Sequence, residues 1–165
     1  NPAIAERMDT LAGMLEDHKV KKVYGYLKKP IKAQVNAIVD ELAKENVPLA
    51  VGPTFGHASK FELQNKTWET PGVLAKAGCH VSIITDAPVI PLHYLPLCAG
   101  LAMKAGMDEY DALRAITINP AEHIGVADRV GSLEEGKDAD IVIMDGTPFT
   151  VEGVVKHVFI DGEEI

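Results

Sequence analysis

No apolar run in this chain approaches the roughly 20 residues that a membrane-spanning helix needs, so a helical membrane partner is not expected. Cysteine is scarce. Cys79 and Cys98 each sit among apolar neighbours, and no C-x-x-C pair is present. Two buried free thiols are therefore expected rather than a disulfide, which fits a reducing, cytoplasmic compartment. Positive charge is outweighed: 16 Lys and Arg against 24 Asp and Glu give a formal net charge of -8. Such a chain repels phosphate backbones, so no nucleic-acid partner is expected. The acidic residues are scattered and read as a solvated surface rather than a functional tail. H-x-H, H-E-x-x-H, G-x-G-x-x-G and P-loop motifs are all missing, so neither a histidine metal motif nor a nucleotide loop is written in the chain. Asn1-Pro2-Ala3 opens without the basic and apolar blocks of a signal peptide.

What is present suits one soluble domain with a real core: 165 residues, 47% hydrophobic and 24% charged. Ile4, Met8, Leu11 and Leu15 recur at helical spacing. Val20 to Pro30 reads as a short strand or the end of a helix. Pro30 then opens a helix with Ile31, Val35, Ile38, Val39 and Leu42 on one face. Pro48 to Val51 is an apolar run closed by Gly52-Pro53, the pattern of a strand buried on both faces. A polar loop follows from Thr54 to Asn65. Thr70 is a plausible N-cap for a helix that Gly78 stops. His80 to Ile84 is a second buried strand, ending at Thr85-Asp86. Two further helices are expected, roughly Tyr94 to Ala105 and Asp108 to Ile116, with Asp108 capping the second. Asn119-Pro120 breaks the pattern. Beyond Gly125, glycines punctuate a tail in which Ile141 to Met144 and Val154 to Ile160 read as strands. The alternation of helix and strand with short connections is that of a parallel sheet with crossover helices, followed by a small β element.

In parallel α/β folds, function collects at the C-terminal ends of strands. Thr85-Asp86 holds such a position, and a carboxylate there can bind a metal or accept a proton from a bound water. Asp86 can equally cap the turn that Pro88 shapes. Gly52-Pro53-Thr54 is the other strand end, with His57 and Lys60 in the loop beyond; each is a substrate-binding candidate or a solvated loop residue. His93, after Asp86, can face the same mouth. His18, His80, His123 and His157 read as structural, surface or packing residues, and Trp68 as packing.

Ala112-Leu113-Arg114-Ala115-Ile116-Thr117-Ile118-Asn119-Pro120-Ala121-Glu122 resembles the late-helix signature of the amidohydrolase superfamily. It is followed in order by Ile124-Gly125, Asp128-Arg129-Val130-Gly131-Ser132-Leu133 and Glu135-Gly136-Lys137-Asp138-Ala139-Asp140-Ile141-Val142. The likeness extends over Pro48 to Ile165 and is greatest to the imidazolonepropionase-like and prolidase-like branch. It implies an α/β fold: the C-terminal portion of a TIM-like (β/α)8 barrel over residues 1–125, then strands of a small β-sandwich over 126–165. It implies hydrolysis of C–N bonds, amide or cyclic amide, in a small-molecule substrate by a metal-activated water. Asp86 matches the family aspartate that ends the last barrel strand, as metal ligand and proton acceptor. A divalent metal, zinc foremost, is implied for the complete enzyme, and this chain alone need not bind it. Ala87 stands where a His often follows that aspartate.

The departures from the family pattern point to a part rather than a whole. An early His-x-His and the further histidine ligands are absent, and a barrel takes about 250 residues. On that reading the chain is inactive alone and pairs with a missing N-terminal half or with further copies of itself. The alternative function is a catalytically dead assembly or binding module on the same fold. An unrelated doubly wound binding protein is a third reading, with no nucleotide loop to support it.

Overall fold

The computed structural model describes residues 21–22, 31–52, 55 and 67–165, with side chains described from residue 38 onward. The expected helix over Ile4 to Leu15, and the residues His57 and Lys60, lie outside the described residues.

The first half is built on three parallel strands: β1 (Lys21–Lys22), β2 (Leu49–Val51) and β3 (Val81–Ile83). Their order in the sheet is β1-β2-β3, with Leu49 opposite Val81 and Val51 opposite Ile83. Helix α1 (Ile31–Glu45) links β1 to β2, and α2 (Glu69–Lys76) precedes β3. β2 is a short run of apolar residues without the polar alternation of a half-exposed strand, and β3 sets Ser82 between two apolar residues. Their burial follows: all three residues of β3 are buried. Val39 and Leu42 of α1 are buried and the intervening Asp40 and Glu41 exposed, the face that the periodicity predicts. They join Leu49, Val51, Leu74, Cys79 and Val81 in one core cluster. Full burial of a side chain such as Leu74 contributes about 1.5–3 kcal/mol.

Two starts differ from the sequence reading. Helix α2 begins at Glu69, with Trp68 at the cap position. Thr70 lies inside the helix, and it is the Thr67 hydroxyl that accepts from the Glu69 N–H at 3.2 Å. Asn119-Pro120 opens a helix instead of breaking one. After the short helical turn Leu92–Tyr94 come α3 (Leu95–Lys104), α4 (Glu109–Ile116) and α5 (Ile118–Ile124). Pro120 falls in the first turn of α5, where backbone N–H groups have no intrahelical partner to lose. Asp108 caps α4 as expected, accepting from the N–H groups of Tyr110 and Asp111 at 2.9 and 3.2 Å.

Ile83 packs with Cys98, Ala99, Ala102, Met107, Ala112, Ala115 and Phe149 in a second cluster that ties β3 to α3, α4 and the tail. The many alanines let the helices approach closely. Gly100 serves the same end, since a Cβ there would stand 2.2 Å from the Phe149 carbonyl oxygen. Cys79 and Cys98 are buried free thiols, and burial raises both above the usual thiol range. The tail forms an antiparallel sheet of β4 (Ile141–Asp145), β5 (Val154–Ile160) and β6 (Glu163–Glu164), with a register irregularity at Ile143/Met144. Among the described residues, no helix is long and apolar enough to cross a membrane.

Candidate functional site

Because β2 and β3 are parallel, their C-terminal ends emerge on one edge of the sheet. β2 runs into Gly52 and β3 into Ile84, Thr85 and Asp86. The two ends are in close contact: a Cβ on Gly52 would lie 2.1 Å from the Ile84 carbonyl oxygen. The Ile84 N–H donates to the Val51 carbonyl at 3.0 Å, extending the ladder to this point. Thr85 is buried and Asp86 partly so.

Asp86 has φ 54, in the left-handed region that Asp tolerates better than most residues. Such a conformation costs on the order of 1–3 kcal/mol and concentrates at functional positions. The Ala87–Pro88 peptide is cis, and the Val89 N–H closes the turn onto the Asp86 carbonyl at 2.9 Å. A cis proline at the third position defines a type VI turn. Asp86 therefore holds both places the sequence suggested: the end of a buried strand and the start of a proline-shaped turn. His93 lies on the exposed helical turn that follows, its ring centroid 4.2 Å from that of Tyr94. Trp68 packs edge-on against Phe55 at 4.9 Å, a packing role as expected.

The described residues do not fit a complete metal site. Among them, no group of three or more His, Cys, Asp or Glu side chains is arranged to hold an ion. Asp86 is a single carboxylate donor.

The opposite, N-terminal end of β3 carries a polar cluster. Side chains alternate along a strand, so Val81 and Ile83 face the clusters built with α1 to α4, and Ser82 points to the other side, toward α5. The Ser82 hydroxyl lies 2.8 Å from His123 Nδ1 of α5. His80 and His123 meet edge to face at 4.4 Å, and His80 Nε2 stands 2.6 Å from Glu122 Oε2 without hydrogen-bond alignment. His123 is pushed down to about 4, chiefly by burial and then by the neighbouring His80, against an opposing pull from Glu122. Asn119 Nδ2 donates to the Val81 carbonyl at 2.7 Å, satisfying a backbone acceptor on the edge of β3 away from β2. The sequence alone reads Asn119-Pro120 as a break in the pattern and His123 as a surface or packing residue. Period-2 alternation through Ser82, read with the polar positions of the Asn-Pro segment, was the available signal.

The chain matches the amidohydrolase family over residues 12–165. It is 42% identical over 92 residues to an imidazolonepropionase from Thermoplasma volcanium, covering 50% of this chain and 23% of that protein. An adenine deaminase from Methanosphaera stadtmanae is 44% identical over 73 residues, 44% of this chain and 12% of that protein. The solved structure of an amidohydrolase from Thermotoga maritima superimposes with a TM-score of 0.82 at 36% identity, over 98% of this chain and 41% of that one. An adenosine deaminase from Xanthomonas campestris with bound zinc does so with a TM-score of 0.63 at 25% identity, over 97% of this chain and 39% of that one. The chain thus spans a quarter or less of these curated relatives and about two-fifths of these solved structures. The family and these neighbours imply a TIM-barrel-type fold; the described residues here are mixed α/β and close no barrel. On this match, the chain belongs to the amidohydrolase family.

Proposed function

We propose that this chain supplies the aspartate of a hydrolytic centre acting on amide or cyclic amide C–N bonds. The observation that carries the reading is Asp86, a carboxylate in a strained left-handed conformation at the end of a buried parallel strand. Its chemistry is that of a proton acceptor. As the water oxygen bonds to the carbonyl carbon, Asp86 takes the water proton. The C–N bond then breaks, and the nitrogen leaves carrying a proton. His57, Lys60 and His93 are proposed to contact the substrate.

In this reading residues 1–125 are part of a (β/α) barrel and 126–165 contribute strands to a β-sandwich. The family is generally metal-dependent, and the Xanthomonas neighbour carries zinc. A divalent metal would take its remaining ligands from outside the described residues. A cytoplasmic setting suits the buried free thiols.

A second reading, an assembly module without activity, has one observation in its favour. Val142, Val154, Val155 and Ile160 are each about half exposed on β4 and β5. Three measurements on the longest polypeptide that carries this chain separate the two: solution mass, bound zinc, and turnover of a panel of dipeptides and cyclic amides. The proposed function predicts turnover. An oligomer without turnover or zinc supports the assembly module, and a monomer lacking both contradicts each reading.

A further inference from the structure

A cavity of about 290 Å³ opens below the N-terminal end of β3, at the far end of that strand from Asp86. Its apolar lining includes Ala75, Val81 and Met107; its polar lining includes Asp111, Arg114 and Asn119. Asp111 and Arg114 lie three residues apart on α4, and so on one side of that helix. Neither forms an ion pair with the other or with any described residue, nor does either side chain make a hydrogen bond there. Asn119 is 7% exposed, and while its amide nitrogen is bound to Val81, its Oδ1 has no partner among the described residues. A buried acceptor without a donor is destabilising, and a ligand donor at this position would relieve that cost.

We propose that this cavity binds a small zwitterion, an α-amino acid with a short aliphatic side chain. The two ends of such a molecule complement the cavity. Arg114 presents a planar set of donors suited to a carboxylate. Asp111 and the Asn119 oxygen are acceptors for an ammonium group, which has three protons to donate. Ala75, Val81 and Met107 offer an apolar surface to the side chain. The volume lies at the lower limit of ligand pockets, about 300–1,000 Å³, which suits amino-acid size. A pure anion would leave Asp111 and the Asn119 oxygen unserved, and a pure cation would leave Arg114 so. The inference does not depend on the proposed hydrolytic role of Asp86.

Isothermal titration of the longest polypeptide that carries this chain with L-alanine, acetate and methylammonium tests it. L-alanine should give saturable binding, with acetate and methylammonium each at least tenfold weaker. Arg114→Gln and Asp111→Asn should each weaken L-alanine binding at least tenfold while the circular dichroism spectrum is kept. Asp111→Asn stands on the first turn of α4 and retains the backbone bond to Asp108, so it remains informative if Arg114→Gln unfolds the chain. In a nuclear magnetic resonance titration, shifts should centre on the Asn119 side-chain amide. The absence of saturable binding up to tens of millimolar overturns the proposal. So does acetate binding as tight as that of L-alanine, or shifts centred away from Asn119.

Discussion

Gly52→Ala is the substitution that most directly probes how the two strand ends hold Asp86 in place. The added Cβ would stand 2.1 Å from the Ile84 carbonyl oxygen, more than 1 Å inside ordinary van der Waals contact, and the obstacle is backbone. The backbone itself must therefore move, and the 3.0 Å bond from the Ile84 N–H to the Val51 carbonyl lies directly in its path. Overpacking of this kind costs about 1–3 kcal/mol. Losing one ladder hydrogen bond adds about 1 kcal/mol. The φ of +155 adds conformational strain of about 1–3 kcal/mol for a residue with a side chain. Together a loss of roughly 3–7 kcal/mol is expected, a large part of the 5–15 kcal/mol that holds a typical domain together. Gly78→Ala separates the steric from the conformational part. Gly78 also has a positive φ, +87, but nothing lies within 4 Å of its Cβ position. It should cost only about 1 kcal/mol. Urea denaturation followed by far-ultraviolet circular dichroism measures both. Equal losses for the two variants would refute the steric argument.

The polar cluster at the other end of β3 predicts a pH dependence. His123 has a folded pKa near 4, below its ordinary value of 6.5. The unfolded chain therefore binds the proton first, and stability should fall as pH drops from about 6.5 to about 4. The loss is on the order of 1–3 kcal/mol after allowance for solvent screening. Urea midpoints at pH 7.5, 6 and 5 should decline, and His123→Gln should flatten the decline; an unchanged slope argues against His123 as its source. Asp108→Ala removes two hydrogen bonds to the start of α4 and should cost about 1 kcal/mol by the same assay. Cys79 and Cys98 should react with a thiol reagent far more slowly in buffer than in urea, because both are buried and held protonated. Rapid labelling of the native chain would contradict their burial.

Several elements were legible because one rule governs each of them. The run Leu49 to Val51 lacks polar alternation, and a short apolar run between turn residues has few homes other than a buried parallel strand. Asp108 stands one residue before a strongly amphipathic segment, where an oxygen side chain caps free N–H groups. The start of α2 was misread because Thr67 and Thr70 both qualify as cap residues, and their spacing alone does not choose between them. α5 was missed because proline was read as a helix breaker without regard to its tolerance in a first turn. At the candidate site, the strand-end position of Asp86 followed from the pattern, whereas its left-handed backbone did not, since Asp is only weakly selective for that region. The pairing of Ser82 with His123 spans 41 residues and joins elements that no local periodicity relates.

The central claim is that Asp86 is a proton acceptor in hydrolysis and more than the first residue of a turn. Asp86→Asn keeps the size and the tolerance for a left-handed backbone while removing the carboxylate. Measured as kcat on a cyclic amide or dipeptide, in the longest polypeptide that carries this chain, the variant should lose at least about 100-fold while its far-ultraviolet circular dichroism spectrum stays that of the folded protein. Activity within a few-fold of the unaltered protein would contradict the claim and leave Asp86 with the turn alone.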